Sequence, residues 1–224
     1  MTRNLNTEIS NYALLVFLGA IWAASFVAIK FSNLIFNPIE VGFYRTFIGS
    51  IFLFLAVKLR GGSISLFSEN TRIYSLIGFL NASVPFTLLP YGLITLPSNI
   101  GVIILSANPF LALVLAHFFT LDEKLSLRKV IGSIIGFSGV VFAVGVEIFV
   151  SDWDSLISAI AIYVGASSYV ISNLIIRRIS HLPSDMVTMN TLFWGSIWLL
   201  PLVLIYGNLQ KIEFSYIPVF AIIY

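Results

Sequence analysis

The sequence predicts an all-α polytopic membrane protein: an inverted repeat of five-helix units, here seven full transmembrane helices plus the start of an eighth. Three observations carry this expectation. First, of 224 residues 58% are hydrophobic and only 10% charged, with mean hydropathy +1.00, whereas a soluble domain carries roughly 25% charged residues. Such a chain cannot cover itself with polar surface in water, so its solvent is a bilayer. Second, the apolar residues fall into runs close to the ~20 needed to cross one. Third, the stretch Arg45-Thr-Phe-Ile-Gly-Ser-Ile-Phe returns as Asn190-Thr-Leu-Phe-Trp-Gly-Ser-Ile-Trp, 145 residues later, which is the scale of a structural repeat.

Seven runs qualify as spans: Tyr12–Phe31, Pro38–Val57, Tyr74–Thr95, Ser98–Thr120, Val130–Phe149, Leu156–Ile176 and Ser184–Tyr206. An eighth begins near Tyr216 and stops at Tyr224, too short to cross, so the chain is expected to be a fragment cut inside a helix. Each copy of the repeated stretch follows an X-Pro step with an acid two positions on, Asn37-Pro38-Ile39-Glu40 and Leu182-Pro183-Ser184-Asp185. The helix before each carries Ser25-Phe26 or Ser168-Tyr169. Five spans fit one period, and five is odd, so the second copy sits upside down; inverted repeats mark secondary transporters.

Orientation follows from the cations. With a cytoplasmic N-terminus, the cytoplasmic side holds Arg3, Lys58, Arg60, Arg72, Lys124, Arg128, Lys129, Arg177 and Arg178, nine in all, against Lys30 and Lys211 outside. The net charge of +2 is too small to suggest a nucleic-acid partner. The first apolar run reads as a retained helix rather than a signal peptide. There is no Cys, hence no disulfide framework or thiolate metal site. With His117 near a span end and His181 in a loop, a metal site is not expected. No phosphate-binding glycine loop supports ATP coupling, and no clustered nucleophile and base supports an enzyme. All ten carboxylates lie in loops or at span ends. If transport is proton-coupled, Glu40 or Glu147 would be the candidates.

Arg45 is the most informative residue, about two turns and roughly 10 Å inside its helix. A charge there faces the bundle interior or a wet cavity, unless it snorkels outward or pairs with Glu40 or Glu147. Gly42 and Gly49 share its face. Trp22 and Ser25 share a face of the first span, an aromatic wall beside a hydroxyl; the alternative is plain helix packing. The third span carries Asn81, Pro85, Pro90 and Tyr91, the fourth Pro97, Asn99 and Asn108-Pro109. Each internal proline frees a carbonyl one turn earlier, tolerated where it lines a cavity or is re-satisfied; a static kink is the alternative. These two spans are the candidate moving elements. Gly165, Tyr169, Ser172 and Asn173 form a polar stripe in the sixth span, and Asn190 and Trp194 in the seventh. Asn190 occupies the repeat position of Arg45. Such polar groups also serve simply as glue between helices. Gly132-Ser-Ile-Ile-Gly136, with Gly139 and Gly145, reads as a close-packing helix face, as do Ala112 and Ala116.

Ile21-Trp22-Ala-Ala-Ser25-Phe26-Val-Ala-Ile-Lys30, with Pro38 seven residues before Arg45, resembles the opening of EamA-type permeases of the drug/metabolite transporter superfamily. So do Asn108-Pro109-Phe-Leu-Ala-Leu, Leu121-Asp-Glu123-Lys-Leu-Ser and Gly132-Ser-Ile-Ile-Gly136-Phe-Ser-Gly139-Val-Val. The resemblance implies ten helices in two inverted five-helix repeats, both termini cytoplasmic, so that helices eight to ten are incomplete or absent. It divides the chain into a first repeat at 12–150 and an incomplete second repeat at 156–224. It implies export of a small metabolite such as an amino acid or drug-like compound through a central cavity. Trp22, Ser25, Arg45 and Pro109 match family-like positions, and Glu123 a structural turn acid. The expected substrate-binding set is Trp22, Ser25, Arg45, Asn81, Tyr91, Asn108, Tyr169, Asn173 and Asn190. The expected setting is a prokaryotic inner membrane, with a small-molecule substrate and the lipid bilayer as partners, no cofactor, and a coupling proton or none. The alternative is a non-transporting scaffold or sensor.

The charge count makes the orientation testable. A cysteine placed at Ser63 should react only with membrane-permeant reagent in intact cells, and one at Ser151 with impermeant reagent added outside; the reverse pattern would overturn the topology.

Overall fold

The computed structural model describes residues 5–120, 125–144, 152–207 and 216–223. Arg3, Glu123, Lys124, Gly145, Glu147, Ser151 and Lys211 therefore lie outside the described residues. The described chain is helical: α1 (Leu5–Ser32), α2 (Pro38–Leu59), α3 (Thr71–Gly78), α4 (Val84–Thr95), α5 (Ser98–Leu105), α6 (Asn108–Phe119), α7 (Leu127–Val144), α8 (Trp153–Arg178), α9 (Ser184–Tyr206) and α10 (Tyr216–Ile223). Six spans of 22 to 26 residues are long and apolar enough to cross a membrane: α1, α2, α3 with α4, α5 with α6, α8 and α9. The expected fifth span appears as α7, and its last residues, 145–149, are outside the described set.

Local chemistry sets the helix ends. Asn37 Oδ1 accepts from the Ile39 and Glu40 N–H groups at 3.0 Å each, and Glu40 Oε2 accepts from Asn37 N–H at 2.9 Å. This reciprocal cap satisfies donors left over at the start of α2, with Pro38 in the first helical turn, where no N–H is needed. The same Asn37 donates through Nδ2 to the Tyr206 carbonyl at 3.1 Å. That ties the beginning of α2 to the end of α9, as antiparallel neighbours. The second X-Pro step does not reproduce the cap: Pro183 precedes α9 without a side-chain bond, and Asp185 accepts only from Met186 N–H, at 2.8 Å. At α8, Asp152 Oδ1 accepts from Ser155 N–H at 2.7 Å, and this bond holds its carboxyl below the usual range.

The two proline-rich spans are both irregular. Between α3 and α4, Phe79–Ser83 forms a single π-helical turn, in which Val84 N–H reaches Phe79 O. Pro85 follows at once; it has no N–H, and its ring crowds the carbonyl four residues back, at Asn81. A widened turn relieves that crowding. In the fourth span the helix breaks at Ser106-Ala107, just before Asn108-Pro109, and Phe110 N–H turns back to Ala107 O at 3.1 Å.

The third span is the centre of the bundle, packed against α2, α8 and α9, while α2 also packs on α9 and α10 lies on α1 and α2. Glycines set these approaches. A Cβ at Gly78 would stand 2.8 Å from Gly195 N, one at Gly195 2.6 Å from Ala82 Cβ, and one at Gly92 2.6 Å from Ser158 O. At Gly165 it would meet Leu89 Cδ1 at 2.7 Å, and at Gly42 the Phe86 carbonyl oxygen at 2.8 Å. Ser83 Oγ adds a cross-helix bond to Gly195 O at 2.9 Å. The expected close packing through Gly132, Gly136 and Gly139 is corrected here, because nothing lies within 4 Å of a Cβ built at any of them. Gly132, Gly136 and Ala112 instead line an open groove between α6 and α7. Phe137 meets Phe110 edge-on, ring centroids 5.8 Å apart, and props the two helices apart.

Buried residues form separate clusters above and below one level of the third span. Tyr74 and Ile77 pack with Ile179 and Val187 at one end; Leu89, Leu93 and Leu96 pack with Phe26, Ile29, Ile100, Ile103 and Ile162 at the other.

Because the glycines are the points of contact, Gly78→Val or Gly195→Val should destabilise the detergent-solubilised protein by about 1–3 kcal/mol. Gly136→Ala should stay within about 0.5 kcal/mol. Thermal unfolding curves compare them; equal losses would refute this packing assignment.

Candidate functional site

Between the two clusters lies a cavity of about 290 Å³. Each surrounding helix contributes at the depth its sequence allows. From α1 come Trp22, Ser25, Phe26 and Ile29; from α2, Arg45; from the π turn and α4, Asn81, Pro85, Phe86 and Leu89. Leu105 comes from α5, Tyr169 from α8, and Thr188, Thr191 and Leu192 from α9.

Arg45 does not snorkel outward. Its Nη2 donates to Ser25 Oγ at 2.8 Å, and its guanidinium carbon lies 5.1 Å from the centre of the Phe86 ring. A cation over an aromatic face gains about 0.5–2 kcal/mol, more when desolvated. A hydrogen bond to a charged group adds about 1.5–3 kcal/mol. These contacts hold the charge at the cavity wall. Glu40, one suggested counter-charge, places Oε2 on the cap of α2. Across the cavity Trp22 and Tyr169 face each other, ring centroids 6.5 Å apart and planes tilted by 38°. Trp22 remains 62% exposed, so the chamber is open beside α1.

The two threonines of α9 offer the cavity acceptors. The Thr188 and Thr191 hydroxyls each donate at 2.8 Å to a carbonyl of their own helix, Ser184 O and Val187 O. Their protons are thereby committed, while their oxygen lone pairs remain. The three internal prolines reinforce this pattern. Pro85, Pro90 and Pro109 remove the ordinary i+4 donor from the carbonyls of Asn81, Phe86 and Leu105, and all three of those residues line this cavity. The Phe86 carbonyl is taken up against Gly42.

The expected binding set divides. Trp22, Ser25, Arg45, Asn81 and Tyr169 meet around the cavity, and the other four sit elsewhere. Asn108 Nδ2 donates to Ala166 O at 3.0 Å, bridging α6 to α8. Asn190 is fully buried, with Nδ2 donating to Met186 O at 3.0 Å and Ser65 O at 3.4 Å. Together with the Trp194–Phe67 ring contact at 5.8 Å, it holds the segment between α2 and α3 against α9. Tyr91 is 44% exposed and Asn173 is exposed, away from the chamber. Thr188, Thr191 and Phe86 were not expected. The repeat points to Asn190, but its neighbour Thr191 is rotated about 100° around the helix, and that rotation decides which side chain reaches the chamber. For Phe86 the available signal was the nearby prolines.

Comparison with known proteins agrees with this architecture. The chain is 26% identical over 206 residues to uncharacterized transporter YoaV of Bacillus subtilis, covering 91% of this chain and 70% of that one. It is 31% identical over 120 residues to an uncharacterized transporter of Archaeoglobus fulgidus, covering 54% and 42%. A crystal structure shares the fold with a TM-score of 0.65 at 16% identity, over 89% of this chain and 72% of that chain. The EamA-like transporter family matches residues 10–145, and the chain, a multi-pass membrane protein, belongs to that family.

Proposed function

We propose that the protein is a secondary transporter that exports a small metabolite by alternating access, with the cavity around Arg45 as its substrate site. The observation that carries this reading is the placement of one held cation, an aromatic pair and directed acceptors in a single chamber inside an apolar bundle. A ligand pocket has this composition, apolar walls with a few convergent polar groups. Ionisable groups at such depth are functional by default.

The packing supports an inverted repeat with units 12–150 and 156–224. The third span packs on the sixth and seventh, α8 and α9, while α10, in the eighth-span position, packs on the first and second, α1 and α2. Each exchange is a shift of five spans, and α2 and α9 pair with each other. Substrate sites of inverted-repeat transporters lie at such interfaces near the midplane. Asn108 and Asn190, which bond to helix backbones, are what the scaffold alternative expects of every polar residue. Arg45, held by a side-chain hydroxyl and an aromatic face at the cavity wall, is not.

Reconstituted into liposomes, the protein should move at least one member of a panel of amino acids, organic acids and drug-like compounds. Arg45→Ala should cut that flux tenfold or more while leaving expression near wild type. No flux and no ligand-induced thermal shift would favour the scaffold.

A further inference from the structure

A second concave site lies on the outside of the bundle, between α6 and α8. It is a groove of about 340 Å³, lined by Leu115 and Phe119 of α6 and by Ile171, Leu174, Ile175 and Arg178 of α8. It shares no lining residue with the chamber around Arg45. The two helices are tied together ahead of it, where Asn108 Nδ2 donates to Ala166 O at 3.0 Å. Both end beside it, α6 at Phe119 and α8 at Arg178. From Ile171 to Arg178 the groove runs about 10 Å along the helix, roughly two-thirds of one leaflet of a ~30 Å hydrocarbon core. Phe119 and Ile171 are 65% and 42% exposed, so its mouth faces the bilayer.

Five of the lining residues are apolar, and the sixth stands at the helix end. Arg177 and Arg178 make the last turn of α8 basic, which suits the negative end of a helix. Of the two, Arg178 borders the groove, and its side chain is exposed where the span meets the headgroup layer. A guanidinium recognises phosphate through two parallel N–H···O bonds. A zwitterionic headgroup would bring its own ammonium beside that guanidinium; an anionic one would not. The charge count puts this end of α8 on the cytoplasmic side, where anionic lipid meets juxtamembrane cations. We infer that the groove holds one acyl chain of an anionic glycerophospholipid of the cytoplasmic leaflet, with its phosphate on Arg178. The chain lies against Leu115, Leu174 and Ile175 and touches two helices at once, which gains van der Waals contact. Bound there, the lipid braces α6, the second half of the broken fourth span, against α8.

Native mass spectrometry of the detergent-solubilised full chain, titrated with dioleoylphosphatidylglycerol or dioleoylphosphatidylcholine, tests this. Phosphatidylglycerol should bind about fivefold tighter than phosphatidylcholine, the effect of one arginine at an anionic headgroup. Arg178→Gln should abolish that preference, and Leu174→Trp, which fills the groove, should weaken both lipids. Arg60→Gln, at an exposed arginine ending α2, should change neither. Excess inorganic phosphate should not displace the lipid, because the acyl chain holds it as well. Equal affinity of the wild-type protein for the two lipids, or displacement by inorganic phosphate, would overturn the assignment without any variant. So would an unchanged preference in Arg178→Gln, unchanged binding in Leu174→Trp, or an equal loss in Arg60→Gln, which would mark a general effect of surface charge.

Discussion

Everything in this bundle depends on how closely the third span can approach α8 and α9. Lipid tails are as apolar as leucine, so the hydrophobic effect does not draw membrane helices together; van der Waals contact between close backbones does. Gly78 meets the backbone of Gly195, Gly92 meets Ser158 O, and Gly165 takes Leu89. These contacts fix the third span laterally. They also set its level along the membrane normal, because each glycine fits only opposite its own partner. Asn81, Pro85 and Phe86 then face a chamber whose other wall is Arg45 and Trp22.

The internal prolines of the third and fourth spans are placed around the chamber. In a bilayer each unsatisfied backbone carbonyl is costly, and three internal prolines in adjacent spans would be difficult to place against lipid. Here the affected residues border one cavity, and one carbonyl lies against Gly42. The π turn belongs to the same economy of space. It widens the helix ahead of Pro85 and puts Asn81 on the chamber side, while Ser83, two residues on, still reaches Gly195 O.

Much of this was legible in the sequence, for identifiable reasons. Span positions depend on composition alone, and Arg45 was conspicuous because a buried charge is rare in an apolar run. Trp22, Ser25, Asn81 and Tyr169 share helical faces that follow from spacing. What sequence could not supply was which face of a helix a neighbour occupies. The glycine series of α7 has the pattern of a close contact, yet the Phe110–Phe137 pair holds α6 off. Of the glycines that do make contact, Gly195 lies in the repeated stretch and Gly165 in the polar stripe of the sixth span, while Gly78 and Gly92 belong to no motif. Asn108 and Asn190 look like binding groups on polarity alone, and only their bonds to Ala166 and Met186 carbonyls separate them from Asn81.

The duplicated stretch gains a physical meaning from that difference. Arg45 and Asn190 open the two similar stretches of sequence, but one borders the chamber and the other clamps the segment at Ser65. The α2 copy therefore offers the chamber a cation and the α9 copy offers it threonine oxygens one helical step away. With a neutral amide at the second position, turned away from the cavity, Arg45 is the cation among the described lining residues.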